Sequence, residues 1–288
     1  MKIPRGLQPL VDEGIVDAVI TQLKSGKEAT VFLVACGSDV RCAKVYKDAE
    51  SRGFHKLAAY QEGRKVRGSR DARGMVKRSR HGRKEQDAAW KNAEVSALYC
   101  LAAAGVRVPK PYGVFDGVLL MEVVTDADGH AAPRLNDVEA TAEQAREWHA
   151  LLVRQIVLML CAGLIHGDLS EYNVLLGTDG PIIIDLPQAV TAAGNNSAFS
   201  MLERDVNNVT AYCGRFAPEL LDTQYAHEIW KLYQAAELHP DTPLTGRFVH
   251  DQAPADVDGV LNQIDEARRE AERRQRGREE AEAALAGE

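Results

Sequence analysis

Leu164-Ile165-His166-Gly167-Asp168-Leu169-Ser170-Glu171-Tyr172-Asn173-Val174-Leu175-Leu176-Gly177-Thr178-Asp179-Gly180-Pro181-Ile182-Ile183-Ile184-Asp185 decides how the whole chain is read. An apolar, strand-like start leads into a polar loop, and a second apolar run opens at Asn173. Gly177-Thr178-Asp179-Gly180 is turn chemistry, and Pro181 to Ile184 is a returning strand. Folded as a hairpin, the two runs set Leu176 opposite Pro181 or Ile182 and bring Asn173 beside Ile184 and Asp185. One open end then collects Asn173, Asp185 and, through the loop, Asp168. A hard cation such as Mg2+ takes oxygen ligands, commonly one or two side chains plus substrate phosphates. Asn173 and Asp185 supply such ligands. Asp168 remains to orient or deprotonate an attacking hydroxyl or water. Any one of these residues would as readily serve a turn; their joint spacing is what points to chemistry.

The first half of the chain carries groups that suit the same chemistry. Residues 7–23 have the apolar spacing of a short amphipathic helix (Leu10, Val11, Ile15, Val19, Ile20, Leu23). Thr30–Val34 and Arg41–Tyr46 read as two strands around Gly37-Ser38. Lys44 sits mid-strand between Ala43 and Val45, a costly place for an ammonium without a partner. Residues 86–104 read as a helix with Trp90, Leu98 and Leu101 on its apolar stripe, ending at Gly105. Glu94 lies on that stripe and is the natural partner of Lys44; the pair would hold phosphates. Two unrelated snorkelling side chains are the plainer alternative. Tyr112–Phe115, Asp116-Gly117 and Val118–Val124 form a hairpin signal, because Asp-Gly suits a primed turn. Ser25-Gly26-Lys27-Glu28-Ala29 would let backbone N–H groups approach phosphates, though with a single Gly this loop is weak evidence by itself. Later, residues 141–163 read as one long helix closed by Gly163, and residues 198–237 read as helical.

Composition narrows the class. The chain has 288 residues, 45% hydrophobic and 27% charged, ordinary values for a globular protein of one two-lobed domain or two small ones. No apolar run approaches the ~20 residues of a membrane helix, and the first residues lack a signal-peptide core, so no membrane partner and a cytoplasmic address are expected. Five cysteines (Cys36, Cys42, Cys100, Cys161, Cys213), none spaced Cys-x-x-Cys, argue against disulfides and a zinc site. Net charge is −7, yet residues 52–91 hold thirteen Lys and Arg against four acids, an excess of nine that leaves −16 on the rest. The basic stretch, 47–85 in its irregular part, reads as an insertion that a polyanion would suit. The tail alternates Arg and Glu runs and reads as a charged helix or as disordered.

These motifs together resemble the RIO family of atypical serine/threonine protein kinases, in the branch without an N-terminal winged helix. Ser25–Ala29 looks like its phosphate loop, Ala43-Lys44-Val45-Tyr46-Lys47 like its lysine strand, and His166–Asn173 like its catalytic loop. Ile184-Asp185-Leu186-Pro187-Gln188 looks like its metal segment, where other kinases have Asp-Phe-Gly. Glu203–Val209 looks like the helix that follows. The resemblance covers roughly residues 7–235. It implies an α+β, two-lobed protein-kinase-like fold: a β-rich N-terminal lobe (1–125), a mainly helical catalytic lobe (126–240) and a tail (241–288). It implies ATP with Mg2+, or Mn2+, as cofactors. Ser25, Lys27, Lys44, Glu94 and the hinge residues Glu122 and Val124 would bind nucleotide, Asn173 and Asp185 the metal, and Asp168 would be the base. Asp185 would also be a candidate for its own phosphorylation.

Three activities fit. One is a protein kinase acting on a protein hydroxyl or on itself. A second is an ATPase switch on ribosomal RNA or the small ribosomal subunit, favoured by the basic stretch. The third is a small-molecule kinase of the aminoglycoside or choline type, which Ser170-Glu171-Tyr172 and Pro187-Gln188 argue against. A dead scaffold is disfavoured because Lys44, Asp168, Asn173 and Asp185 are all present.

Overall fold

Five antiparallel strands make the first layer: β1 (Ala18–Ser25), β2 (Ala29–Cys36), β3 (Asp39–Tyr46), β4 (Pro111–Phe115) and β5 (Val118–Glu122), in spatial order β1-β2-β3-β5-β4. They belong to a computed structural model that describes residues 3–26, 28–47 and 93–249. The turn between β2 and β3 falls at Gly37 (φ 63), as its sequence requires. The β4–β5 turn puts Asp116 and Gly117 at φ 46 and φ 77, the left-handed pair that a primed hairpin turn needs. Side chains alternate across β3. Ala43 and Val45 join an apolar cluster on one face, with Phe32 and Leu120. Tyr46 joins the main core on the other, and Cys42 and Lys44 line the cleft there.

The helix expected over residues 7–23 is corrected by the structure. Only a turn at Arg5–Leu7 and α1 (Gln8–Asp12) are helical, and Gly14 at φ 69 stops them. The β-branched Val19, Ile20 and Thr21 lie in β1 and run alongside β2 instead. Leu7 and Leu10, 0% and 1% exposed, roof the outer sheet face.

On the inner face lies the helix expected before Gly105, here α2 (residues 93–103; residues 86–92 are outside those described). Its Leu98 and Leu101 join one continuous core with α3 (Ala142–Cys161). A capping box opens α3: Thr141 Oγ1 accepts the Gln144 N–H at 3.2 Å and Gln144 Oε1 accepts the Thr141 N–H at 3.0 Å. Beyond α3, β6 (Leu164–Ile165) pairs with β9 (Val190–Thr191), and β7 (Val174–Gly177) with β8 (Gly180–Ile183). Of the two β7–β8 registers expected, the structure takes the one with Leu176 opposite Pro181 rather than Ile182.

The single helical stretch expected over 198–237 is instead α4 (Ala198–Gly214), a turn at Pro218–Asp222, and α5 (Tyr225–Gln234). Pro218 opens that turn because it has no N–H to continue a helix. Residues 245 and 246, read as tail, are tied to α5: Glu228 accepts the N–H of Thr245 and of Gly246, each at 2.8 Å. The described residues up to Phe248 belong to one compact unit; the chain beyond Val249 lies outside the described residues, as does the basic stretch 52–91. Among the described residues no helix is long and apolar enough to cross a membrane.

If Leu10 seals the outer sheet face, Leu10→Ala should cost about 2–4 kcal/mol of stability, the range for emptying a buried leucine site. Urea unfolding reads this; a loss under about 0.5 kcal/mol would mean α1 is only loosely applied.

Candidate active site

Lys44 is the centre from which the site is built. It projects from β3 into the cleft, 13% exposed at its side chain, and Nζ donates to Glu94 Oε1 at 2.5 Å. The same Nζ donates to Asp185 Oδ1 at 3.2 Å. Burial is the largest single influence on this ammonium and would lower its pKa. The charges of Glu94 and Asp185, with the hydrogen bonds to them, together outweigh it and carry the pKa above the ordinary lysine value. The pairing inferred from an acid on an apolar stripe is therefore present, and Asp185 joins it.

Asp185 reaches this position through its backbone. Following β8, it adopts φ 68, a left-handed conformation that Asp tolerates better than most residues. Ile184 N–H donates to the Asn173 carbonyl at 2.9 Å, so the hairpin end brings the two residues together as its register requires. Asn173 Nδ2 donates to the Asp168 carbonyl at 2.8 Å. The amide nitrogen is thereby used and its oxygen is left for a cation. That oxygen and the half-exposed Asp185 carboxylate would offer oxygen donors only, which suits Mg2+.

The loop carrying Asp168 is suspended from α4. Asp205, 1% exposed, accepts the N–H of Gly167 at 2.8 Å and of Leu169 at 2.9 Å. Arg204 donates to the Gly167 carbonyl and Asn208 to the Leu169 carbonyl. From the other side His166 Nε2 donates to the Ile184 carbonyl at 3.1 Å, while Nδ1 faces the Asp168 N–H at 3.3 Å. Burial raises the Asp168 carboxyl above the usual range, the charges of His166 and Arg204 oppose the rise, and Asp185 adds to it. A carboxylate raised in this way is a stronger base than one in open water.

Asp168, Lys44 and Asp185 line one cleft of about 660 Å³, together with Gly26, Glu122 and Val124. Glu122 spends its N–H on the Lys110 carbonyl at 2.9 Å, and its carboxylate accepts the Lys110 N–H at 3.0 Å. Val124 spends its carbonyl on the Ala132 N–H at 2.9 Å, leaving its own N–H turned to no acceptor among the described residues. An adenine edge would therefore meet the Val124 N–H and not the Glu122 N–H. Ser25 lies at the loop end of β1, its Oγ 3.3 Å from Thr30 Oγ1 and accepting from Lys47 Nζ at 3.0 Å. Lys27 lies outside the described residues.

A sequence profile described as the RIO domain matches residues 30–226. The chain belongs to the RIO family. Among the relatives of this RIO chain is the RIO-type serine/threonine-protein kinase Rio1 of Haloferax volcanii, 36% identical over 212 residues, covering 72% of this chain and 67% of that protein. Rio1 of Methanocaldococcus jannaschii is 30% identical and is covered over 69% of its length. The chain spans 41% of the serine/threonine-protein kinase RIO1 of Chaetomium thermophilum, at 28% identity. A solved complex of Rio2 kinase with ADP, Mg2+ and phosphoaspartate, from the same fungus, superposes with a TM-score of 0.51 over 81% of this chain and 74% of that one. At 18% identity it supports the two-lobed kinase-like fold.

The sequence reading missed Arg204, Asp205 and Asn208 as parts of the site. A signal was there: Asp205 shares an apolar face with Met201, Leu202 and Val209, as Glu94 does with Leu98, and an acid so placed needs donors. Burial pushes the Asp205 carboxyl up from 3.8 to about 6, against the opposing pull of His166, the two backbone N–H groups and Arg204. A raised folded-state pKa means stability that is complete below about pH 4 and lost as pH rises through about 6. Relative to the non-titrating Asp205→Asn, the wild type should therefore lose roughly 2 kcal/mol between pH 4 and pH 7. Urea unfolding of both proteins across that range measures it, and a pH-independent difference would refute the assignment.

Proposed function

We propose that this RIO chain uses ATP with a divalent cation, Mg2+ or Mn2+, to move the γ-phosphoryl group onto a Ser or Thr hydroxyl of a protein, itself included. The observation that carries this reading is Lys44, bonded at once to Glu94 and Asp185 in a cleft that Asp168 also lines. The ammonium is held where it can neutralise phosphate oxygens, and the pair of carboxylates keeps it charged. Asn173 and Asp185 would hold the cation, which when bound offsets the charge of the phosphates. Asp168 takes the proton of the attacking hydroxyl as the γ-phosphorus–oxygen bond to ADP breaks and the new one forms. Charge neutralisation and positioning carry most of such a reaction, because phosphoryl transfer passes through a loose transition state.

A second acceptor is favoured by the placement of Asp185, whose side chain is 46% exposed at the cleft while touching Lys44. Attack of its carboxylate on the γ-phosphorus would release ADP and leave an acyl phosphate, and water would then complete an ATPase cycle. A bound phosphoaspartate in the Rio2 complex is a precedent in that protein.

Incubation with γ-labelled ATP and Mg2+ separates these outcomes. Labelled protein stable to hydroxylamine marks a hydroxyl acceptor, label lost to hydroxylamine marks Asp185, and free phosphate marks turnover by water. Asp168→Ala should lower phosphate transfer at least about tenfold by removing the positioned base; unchanged transfer would remove Asp168 from that role. The surplus of nine positive charges over residues 52–91 supports a further reading, contact with RNA of the small ribosomal subunit in a cytoplasmic setting. Neutralising Arg78, Arg80 and Arg83 should then abolish salt-dependent binding to rRNA, and no binding at low salt would dispose of it.

A further inference from the structure

Gln155 is a polar side chain, 5% exposed, on a face of α3 otherwise built from Leu152, Ile156 and Met159. An amide in such a place costs about 1–3 kcal/mol unless it is hydrogen-bonded. Its Oε1 accepts the backbone N–H of Arg107 at 2.7 Å. Arg107 lies in the strap that joins α2 to β4. The carbonyl of Arg107 accepts the N–H of Ile183 at 2.8 Å, two residues before Asp185. On its other side Val106 N–H donates to the Leu101 carbonyl at 3.0 Å, closing α2 behind Gly105 at φ 78.

Both elements that deliver a carboxylate to Lys44 therefore meet at one residue. α2, with Glu94, runs into Arg107 from one side, and β8, with Asp185, is hydrogen-bonded to it from the other. Gln155 is the side chain that pins this junction to the long helix of the catalytic lobe. The guanidinium of Arg107 adds little, since its Nη2 stands 4.0 Å from the exposed Asp179.

We propose that Gln155 is a positioning residue for phosphoryl transfer: by holding the Arg107 N–H it sets the spacing of Glu94 and Asp185 around Lys44. This rests on the phosphotransfer reading above. The acceptor, and not the volume of the side chain, is what matters. A residue that fills the same space without an acceptor leaves the Arg107 N–H buried and unbonded, and the strap moves to satisfy it. Displacements of about 1 Å in such constellations can cost up to about a hundredfold in rate.

Two substitutions separate this role from packing. Gln155→Met keeps length and apolar contact and removes the acceptor. Gln155→Glu keeps the acceptor and adds a buried charge. Positioning predicts that Gln155→Met lowers kcat by about tenfold or more with the KM for ATP within about twofold, while Gln155→Glu stays within about threefold of wild type. Packing predicts the opposite order, because methionine is the better filler of an apolar site. That order, equal loss in both variants, or an unaffected Gln155→Met would overturn the proposal. Amide hydrogen exchange of the Mg-ADP-bound proteins reads the same junction without turnover. Gln155→Met should speed exchange over residues 93–110 and 180–185 and Gln155→Glu should not, whereas faster exchange along all of α3 in both marks a packing role. Were the wild type to bind Mg-ADP yet transfer no phosphate, the phosphotransfer reading would fail, and the exchange pattern would still decide what Gln155 does.

Discussion

A single ammonium, that of Lys44, holds together three parts of the chain that are far apart in sequence. Its partners lie 50 and 141 residues away, on α2 and just after β8. Taking this charge out of water costs several kcal/mol, and only close carboxylates return it. Such a cluster adds little net stability. What it does is penalise every arrangement in which β3, α2 and the end of β8 are not together. Losing either carboxylate would leave a buried charge short of a partner. The sheet, the helix beneath it and the β7–β8 hairpin are therefore constrained as a set, and the cleft between them inherits its shape from that constraint.

The loop carrying Asp168 obeys a second constraint of the same kind. Its backbone N–H groups at Gly167 and Leu169 are buried, and neither strand nor helix satisfies them. Asp205 does, at the cost of a carboxyl pushed up to about 6 by burial. Arg204 and Asn208 bind the two carbonyls of the same stretch. The loop thus takes its form from α4, with Asp168 left as the carboxylate that faces the cleft. Glu94 and Asp205 are parallel cases: each is an acid on an otherwise apolar helix face, and each is held by donors from another element.

Local features explain which parts were legible in the sequence. The β7–β8 hairpin was legible because two apolar runs flank a Gly-bounded turn, but runs apolar on both faces left Leu176 opposite either Pro181 or Ile182, and only the folded pairing chose Pro181. The β4–β5 turn was equally readable because Asp-Gly accepts positive φ. Residues 7–23 misled because Leu10, Ile15, Val19 and Leu23 mimic a helical period. Nothing local announces that a neighbouring strand is waiting to pair with Ala18–Ser25, and Gly14 alone marks the break. The stretch 198–237 was over-read for a related reason: helix-favouring residues flank Pro218, and propensity averaged over them hides the interruption.

The sequence by itself determined the chemical inventory and its local spacing: an ammonium on a strand, an acid on a helix, and three oxygen-bearing side chains around one hairpin. It did so because alternation, turn chemistry and the cost of burying charge act over a few residues. Only the tertiary structure decided how these meet. The left-handed backbone at Asp185 turns its carboxylate onto Lys44, the Glu122 N–H is already taken by Lys110 while that of Val124 is not, and α4 rather than the loop itself sets the position of Asp168. Each of these depends on hydrogen bonds between segments tens of residues apart, and no spacing along a chain encodes which of several possible partners will be closest once the core has formed.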